Sequence, residues 1–181
     1  MKTIYTILIC FLLANATNAQ ERYLTKNGAV TFFSSAPMED IKADNNQVLS
    51  IVDASSGKMA IAILMKSFMF KKALMQEHFN ENYVESDKFP KATFKGDILN
   101  FDTIKDSETK VEVKGTMTIH GKSKEIVIPA NITRNEDNIL VKGEFNLLVA
   151  DYDIEIPGAV AKNIAKKIKV TFKFNHKPYK K

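Results

Sequence analysis

The sequence predicts an all-β protein: an antiparallel β-barrel of about eight strands with one main α-helix near its mouth. Three observations lead to this prediction. Apolar residues recur with a period of two along most of the chain, which is the period of a half-buried strand. A single long stretch has the periodicity of an amphipathic helix. Three glycines occupy equivalent mid-strand positions, as in strands that bend around a barrel.

The alternation is clearest in residues 111–119, 139–149 and 168–174, where apolar side chains share one parity and charged or threonine side chains the other. Because successive side chains of a strand point to opposite faces, each stretch has one apolar and one polar face. Such strands are typical of an antiparallel sheet that is solvated on one side. Less regular strands are predicted near residues 29–34, 47–53, 58–70, 92–101 and 124–132.

The main helix is predicted in "KKALMQEHFNENYVES", residues 71–86. Met75, Phe79 and Tyr83 recur every four residues and form one apolar stripe. The stripe favours packing on a sheet or a barrel mouth over a cofactor site. A shorter helical turn is predicted within "IPGAVAKNIAKK", residues 156–167, where proline and glycine interrupt the pattern.

Three similar pentapeptides, "FKGDI", "VKGTM" and "VKGEF", place Gly96, Gly115 and Gly143 on the apolar parity of their strands. A glycine inside a strand marks a bend or a close approach of another group. Closure into a barrel also removes the unpaired strand edges that a sheet otherwise exposes. We therefore favour a barrel over a sandwich that merely tolerates three glycines.

The predicted barrel interior is almost wholly apolar, and residues 59–70 are apolar on both parities. An eight-stranded barrel is wide enough to be filled by side chains or to hold one ligand, and the parity count leaves both options open. Methionines in the lining would adapt to a flexible apolar guest or fill gaps. The inward residues predicted to line the lumen are Phe32, Ile63, Met65, Met69, Phe94, Met117, Ile119, Val141, Phe145 and Phe172.

The N-terminus has the pattern of a secretory signal peptide. Lys2 precedes an apolar run over residues 4–14, and small residues lead up to Ala19. The run is too short to span a bilayer, so a cleaved signal is favoured over an anchor. The prediction is a signal peptide at 1–19 and one domain at 20–181, periplasmic or secreted.

Cysteine and charge exclude several kinds of chemistry. The one cysteine, Cys10, lies inside the apolar run, so the predicted mature chain has no thiol for disulfides, metals or catalysis. The net charge of +5 comes from lysines spread along the chain, and the only arginines are Arg22 and Arg134. Export and scarce arginine argue against nucleic acid. A solvated lysine surface is favoured, with weak contact to an anionic membrane surface as a further option.

No catalytic or metal-binding motif stands out. His78, His120 and His176 lack metal-binding spacing, and motifs for nucleophile elbows and phosphate cradles are absent from the sequence. His78 is predicted at a capping or mouth position, His120 at the outward corner of a hairpin and His176 in the basic C-terminal tail. The alternating acids of "DYDIEIP", residues 151–157, are predicted to form an exposed acidic face. We expect no enzyme activity, no metal and no cofactor.

Two segments together carry a specific resemblance. "MQEHFNENYVESDKFPKATFKGDI" (75–98) and "VKGTMTIHGKSKEIVIP" (113–129) closely resemble the YceI-like family of exported proteins, and the similarity extends over most of residues 28–175. The resemblance implies a lipocalin-like antiparallel barrel that binds a polyisoprenoid or another long-chain apolar lipid in its lumen, without catalysis. Ile119 and His120 belong to the hairpin motif.

The resemblance also implies which residues build or guard the mouth: Phe68, Phe70, Met75, His78, Phe79, Tyr83, Phe89 and Phe94. Polar contacts to a lipid headgroup would fall to Lys66, Lys71, Lys72 or His78. Two rival hypotheses remain: a non-binding envelope module that protects against stress, and a lipid-modifying enzyme that uses His78 or His120. The sequence leaves the oligomeric state open, with a homodimer as one option.

Overall fold

The computed structural model describes residues 21–35, 40–156 and 165–179, and the predicted signal peptide and most of the predicted short helical turn lie outside them. The helix α1 (Ala73–His78) continues as a π-helical turn (Phe79–Tyr83). The strands are β1 (Arg22–Ser34), β2 (Ile41–Asp53), β3 (Lys58–Leu64), β4 (Met69–Phe70), β5 (Lys91–Ile98), β6 (Thr109–Ile119), β7 (Lys122–Arg134), β8 (Ile139–Leu148) and β9 (Lys167–Tyr179).

Eight of these strands close into an antiparallel barrel in the order β1-β9-β8-β7-β6-β5-β3-β2, and β2 pairs back with β1. The two-residue β4 adds to the end of β2. The predicted barrel with one main helix near its mouth is confirmed, and the sandwich alternative is excluded. Closure leaves the eight long strands without a free edge.

Residues 58–70 do not form the single strand that their composition suggests. β3 ends at Leu64, and a 3-10 turn (Met65–Ser67) follows. The backbone N–H of Met65 donates to the carbonyl of Pro90 at 3.0 Å, and Asn45 Nδ2 donates to the carbonyl of Leu64 at 3.1 Å. These bonds end β3 and turn the chain at Met65–Ser67.

The mid-strand glycines leave room for aromatic rings to pack directly against the backbone of the barrel wall. Gly96 of β5 lies directly opposite Gly115 of β6. A Cβ atom on Gly96 would lie only 2.8 Å from the Gly115 Cα and 2.8 Å from the Phe94 ring. Phe172 occupies the equivalent position at Gly143, 2.7 Å from where a Cβ would be. The glycines therefore mark close approaches, as predicted, and each is covered by a phenylalanine.

One end of the barrel is sealed by side chains. Tyr23 Oη donates to the carbonyl of Glu136 at 3.2 Å, and Arg134 Nη2 donates to the carbonyl of Ala54 at 3.2 Å. The Arg134 guanidinium also lies over the Phe101 ring, 4.6 Å from its centroid. Since Arg134 combines a backbone hydrogen bond with an aromatic contact, it fixes the loops at this end. Access to the interior is left to the opposite end, which carries the helix.

The prediction that His176 lies in a solvated basic tail is wrong. β9 continues to Tyr179, and His176 is completely buried inside the sealed half of the barrel. Its Nδ1 lies 2.9 Å from the carbonyl of Ile139, and its Nε2 lies 2.8 Å from Ser50 Oγ. Because a carbonyl only accepts, Nδ1 carries the proton and Nε2 accepts from the hydroxyl. Burial lowers the pKa of His176 to about 4.

This burial predicts a loss of stability in mild acid. Above the ordinary histidine pKa of 6.5 the ring is neutral in both states, so it contributes no pH dependence. Below pH 6.5 the His176 ring takes up a proton in the unfolded chain, whereas in the folded protein it stays neutral down to about pH 4. The free energy of unfolding should therefore fall between these pH values, by up to about 3 kcal/mol from this residue.

Denaturant titrations at several pH values measure this loss. His176→Asn keeps a donor for the Ile139 carbonyl but cannot titrate, so its unfolding free energy should fall less steeply over the same interval. An identical pH slope in the variant and the parent protein would show that other groups control acid stability.

Candidate functional site

The barrel encloses a cavity of about 330 Å³ in the half that faces the helix. Its floor is formed by Val30, Met59, Val113, Val141 and Phe174. The lining on β9 runs from Ile168 to Phe174, roughly 20 Å along the strand. Below the floor the interior is solid, because Ile132, Ile139 and His176 there are less than 2% exposed. The barrel is therefore filled at one end and hollow at the other.

The helix covers the hollow half with its predicted stripe. Met75, Phe79 and Tyr83 line the cavity together with His78. The stripe faces inward because α1 follows β4 directly and the glutamine of its first turn holds that strand: Gln76 Oε1 accepts from the Phe70 backbone N–H at 3.3 Å. The helical segment is thus a cover whose apolar side forms part of the cavity wall.

Four phenylalanines close the wall on this side. Phe32 of β1, Phe68, Phe70 of β4 and Phe79 form five ring pairs, with centroids 5.0 to 5.7 Å apart. These separations lie in the range of favourable tilted and stacked aromatic pairs. The cluster joins the barrel wall to the cover by apolar contact alone.

All the residues predicted to line the lumen or its mouth are brought to this cavity except Met69 and Phe89. Met69 is 63% exposed and faces outward. The 3-10 turn after β3 shifts the parity by one, so Phe70, and not Met69, points inward. Phe89 packs edge-on against His120, with ring centroids 4.6 Å apart.

The 149–156 segment contributes lining residues that the parity count missed. Asp151 and Asp153 are on the surface and pair with Lys124 and Lys122, each at 2.6 Å. Their apolar neighbours Ile154 and Ile156 line the cavity with Val149 of the same segment. Leu147 of β8 and Ile168 of β9 line it too, on the apolar parity that the alternation predicts. The apolar half of the alternating run "DYDIEIP" was the signal that could have found Ile154 and Ile156.

Few polar side chains from the described part of the chain reach the cavity. They are those of Ser34, His78, Tyr83 and Thr93. Desolvation raises the pKa of the Tyr83 phenol, which stays a neutral donor. Of the four candidates for headgroup contacts, only His78 lines the cavity. Lys66 instead pairs with Asp87 on the outside at 2.5 Å, and Lys71 and Lys72 are exposed on the outer surface.

His120 forms the corner of the β6–β7 hairpin, but it is not solvated as predicted. Ile119 pairs with Lys122, so His120 and Gly121 make a two-residue turn with φ of 50° and 75°. The His120 side chain is only 13% exposed. The parity count placed it outward correctly, but other loops fold over it.

The His120 ring joins three segments at the mouth. Its Nδ1 lies 3.2 Å from the carbonyl of Tyr152 and its Nε2 lies 2.7 Å from Glu85 Oε2. The two nitrogens thus face the Tyr152 carbonyl oxygen and the Glu85 carboxylate, one on each side of the ring. The hydrogen bond from His120 lowers the pKa of Glu85. His120 thereby ties the hairpin to the end of the helical segment and to the 149–152 turn.

The described residues contain no group of His, Cys, Asp or Glu side chains that could hold a metal ion. Among the same residues, no helix has the length and apolar character needed to cross a membrane.

Fold and site together define a closed β-barrel that is sealed at one end and hollow, with an apolar lining, at the other. Residues 25–176 match the YceI-like domain, and the chain belongs to this family. No curated protein matches the chain.

Several solved structures share the fold. A polyisoprenoid-binding domain from Saccharophagus degradans, implicated in plant cell wall breakdown, superposes with a TM-score of 0.76 at 16% identity, over 87% of this chain and 98% of that one. Burkholderia cenocepacia BcnA gives a TM-score of 0.67 at 16% identity, over 81% and 94%. The Campylobacter jejuni YCEI protein gives 0.57 at 15% identity, over 81% and 90%.

The His120 contacts predict a specific effect on the cover. His120→Asn keeps a residue that tolerates the left-handed turn but removes the bond to Glu85 and the contact with Phe89. We expect a loss of about 1 kcal/mol in unfolding free energy. Amide hydrogen exchange in residues 73–86 should become faster, while strands on the sealed side keep their rates. Unchanged exchange in 73–86 would show that the ring does not hold the cover.

Proposed function

We propose that this protein binds a long-chain apolar lipid of the polyisoprenoid type inside the barrel and holds it without chemical conversion. The observation that carries the proposal is the cavity itself: a hollow half-barrel with aliphatic and aromatic walls and a sealed floor. Its volume of about 330 Å³ lies at the lower end of the range for ligand pockets.

The chemistry of the lining selects the ligand class. An apolar chain in this cavity exchanges water contacts for side-chain contacts, worth about 0.8 kcal/mol for each buried CH₂ group. A polar molecule would lose its hydrogen bonds to water and find few replacements, because among the described residues only Ser34, His78, Tyr83 and Thr93 bring polar side chains to the cavity. The cavity therefore selects apolar over polar ligands, because a polar ligand loses more free energy when it leaves water.

The orientation of the guest follows from the two ends. The floor at Val113 and Phe174 is apolar and closed, whereas His78 and Tyr83 lie in the cover at the opposite end. The tail of the lipid would rest on the floor. Any polar terminus would lie beneath the helix, where His78 can donate to it or accept from it.

Two comparisons support this ligand class. The chain belongs to the YceI-like family, and one protein that shares its fold is a polyisoprenoid-binding domain. The apolar run at residues 4–14 supports export, so we propose a periplasmic or secreted carrier for transport, storage or sequestration of lipid.

We propose binding without catalysis because the histidines are poorly placed for it. Both ring nitrogens of His120 are occupied by Glu85 and Tyr152, and the residue is not part of the cavity lining. His78 lines the cavity, but the described part of the chain places no carboxylate at ion-pair distance from it. A general acid–base pair with a guest therefore lacks its second member.

Organic extraction of the purified protein followed by mass spectrometry tests the proposal directly. We expect a long-chain isoprenoid or fatty-acid-like lipid, or uptake of one when it is added. If no such lipid is recovered or taken up, the binding function fails and the envelope-protection hypothesis takes its place.

A pair of methionine variants tests whether the lumen is the site. Met117→Trp adds volume inside the cavity, whereas Met69→Trp adds the same volume on the exposed outer side. Titration with a fluorescent long-chain lipid should show at least tenfold weaker binding, about 1.4 kcal/mol, only for Met117→Trp. Equal affinities for the two variants would place the lipid outside the lumen.

A further inference from the structure

The cover has an outward side that the lumen does not use. Met69 and Leu74 are 63% and 61% exposed, more than any other large apolar residue in the described part of the chain. Lys71 and Lys72, also exposed, lie between them in sequence. We name these four residues the mouth patch.

The mouth patch is continuous with the cavity wall. Phe70 and Met75 line the cavity, while Met69 and Leu74, their immediate neighbours in the chain, face outward. The short segment from β4 to the first turn of α1 therefore has apolar side chains on both of its sides. Its inner side closes the lumen, and its outer side exposes apolar groups at the hollow end of the barrel.

The chain beside the mouth patch is biased toward lysine. From residue 64 to residue 76 it carries Lys66, Lys71 and Lys72 and no acidic residue, although Lys66 is paired with Asp87 at 2.5 Å and Lys72 also has a partner. The first acids of the helical segment are Glu77 and Glu81, beyond the first turn of α1. On the neighbouring β2, Asp44 is paired with Lys42 at 2.9 Å. Exposed apolar tips flanked by lysines complement a surface with anionic headgroups above an apolar layer.

The geometry points to the mouth patch as a docking site for an anionic lipid bilayer, which places the mouth of the barrel at the membrane surface. Met69 and Leu74 enter the apolar layer, and the exposed Lys71 contacts the headgroups. This inference rests on the proposed function, because a carrier of apolar lipid has to take up its cargo where that lipid is dissolved.

The four residues are suitable for substitution because they are exposed, so the variants should fold. Met69→Ser/Leu74→Ser removes the apolar tips and leaves the charge unchanged. The matched control is Leu49→Ser/Val127→Ser, since these residues are 42% and 51% exposed on the outer walls of β2 and β7. Lys71→Gln removes one exposed charge and leaves the apolar tips in place.

Co-sedimentation with vesicles of phosphatidylcholine, with and without phosphatidylglycerol, measures docking. We expect binding that requires phosphatidylglycerol and that is weakened at least about tenfold by Met69→Ser/Leu74→Ser but not by the control pair. Lys71→Gln should weaken binding at low salt by roughly fivefold. Binding carried only by the net charge would disappear at about 1 M salt and ignore the loss of the apolar tips, which would overturn the inference.

A second measurement separates this inference from the proposed function. Lipid supplied from ethanol solution should enter the lumen equally well in the parent protein and in Met69→Ser/Leu74→Ser, whereas transfer from vesicles should be slower in the variant.

The possible outcomes distinguish the two proposals. Loading from solution without any vesicle binding would overturn docking and leave lipid binding intact. Vesicle binding through the mouth patch in a protein that never loads would refute the proposed function but not docking. No vesicle binding, with capture of a protein on the patch, would assign it to a protein partner instead.

Discussion

Closure of the sheet is the constraint on which the rest of this structure depends. β1 pairs with β2 on one side and with β9 on the other, so the first and last described strands lie side by side. Every inward side chain then faces one shared interior, which must be filled or lined with apolar groups. The glycines against which the Phe94 and Phe172 rings lie allow strands and rings to approach closely enough for the wall to close.

The fold was predictable because a period of two survives in nearly every strand, and an interior enclosed by one wall leaves little choice of inward parity. Most of the lining followed from the same count. The errors lie where the chain leaves a strand: the turn at Met65–Ser67 reverses the parity and turns Met69 outward. No local pattern signals that turn, since it depends on a bond to Pro90, which is distant in sequence.

The histidines show the same limit. His176 resembles a tail residue among lysines, yet it is buried because Ser50 and Ile139, on strands far away in sequence, supply its two partners. His120 was correctly placed at a turn, and its parity was correct. What sequence reasoning lacked was the approach of Glu85 and Tyr152, which converts an exposed corner into a junction of three segments. Alternation predicts which face a side chain occupies, but not what covers that face.

The cover is the part of the molecule whose stability depends most on its surroundings. A helix as short as α1 is not stable alone in water, so it persists through the contacts of its stripe and the bonds at its ends. At its C-terminal end the junction of His120 and Glu85 provides such a bond. Phe79, which directly follows α1, packs against Phe70 of β4 in front of the helix, with ring centroids 5.0 Å apart. A lipid in the lumen would add contacts to that stripe, so occupancy of the barrel and order of its cover are thermodynamically linked.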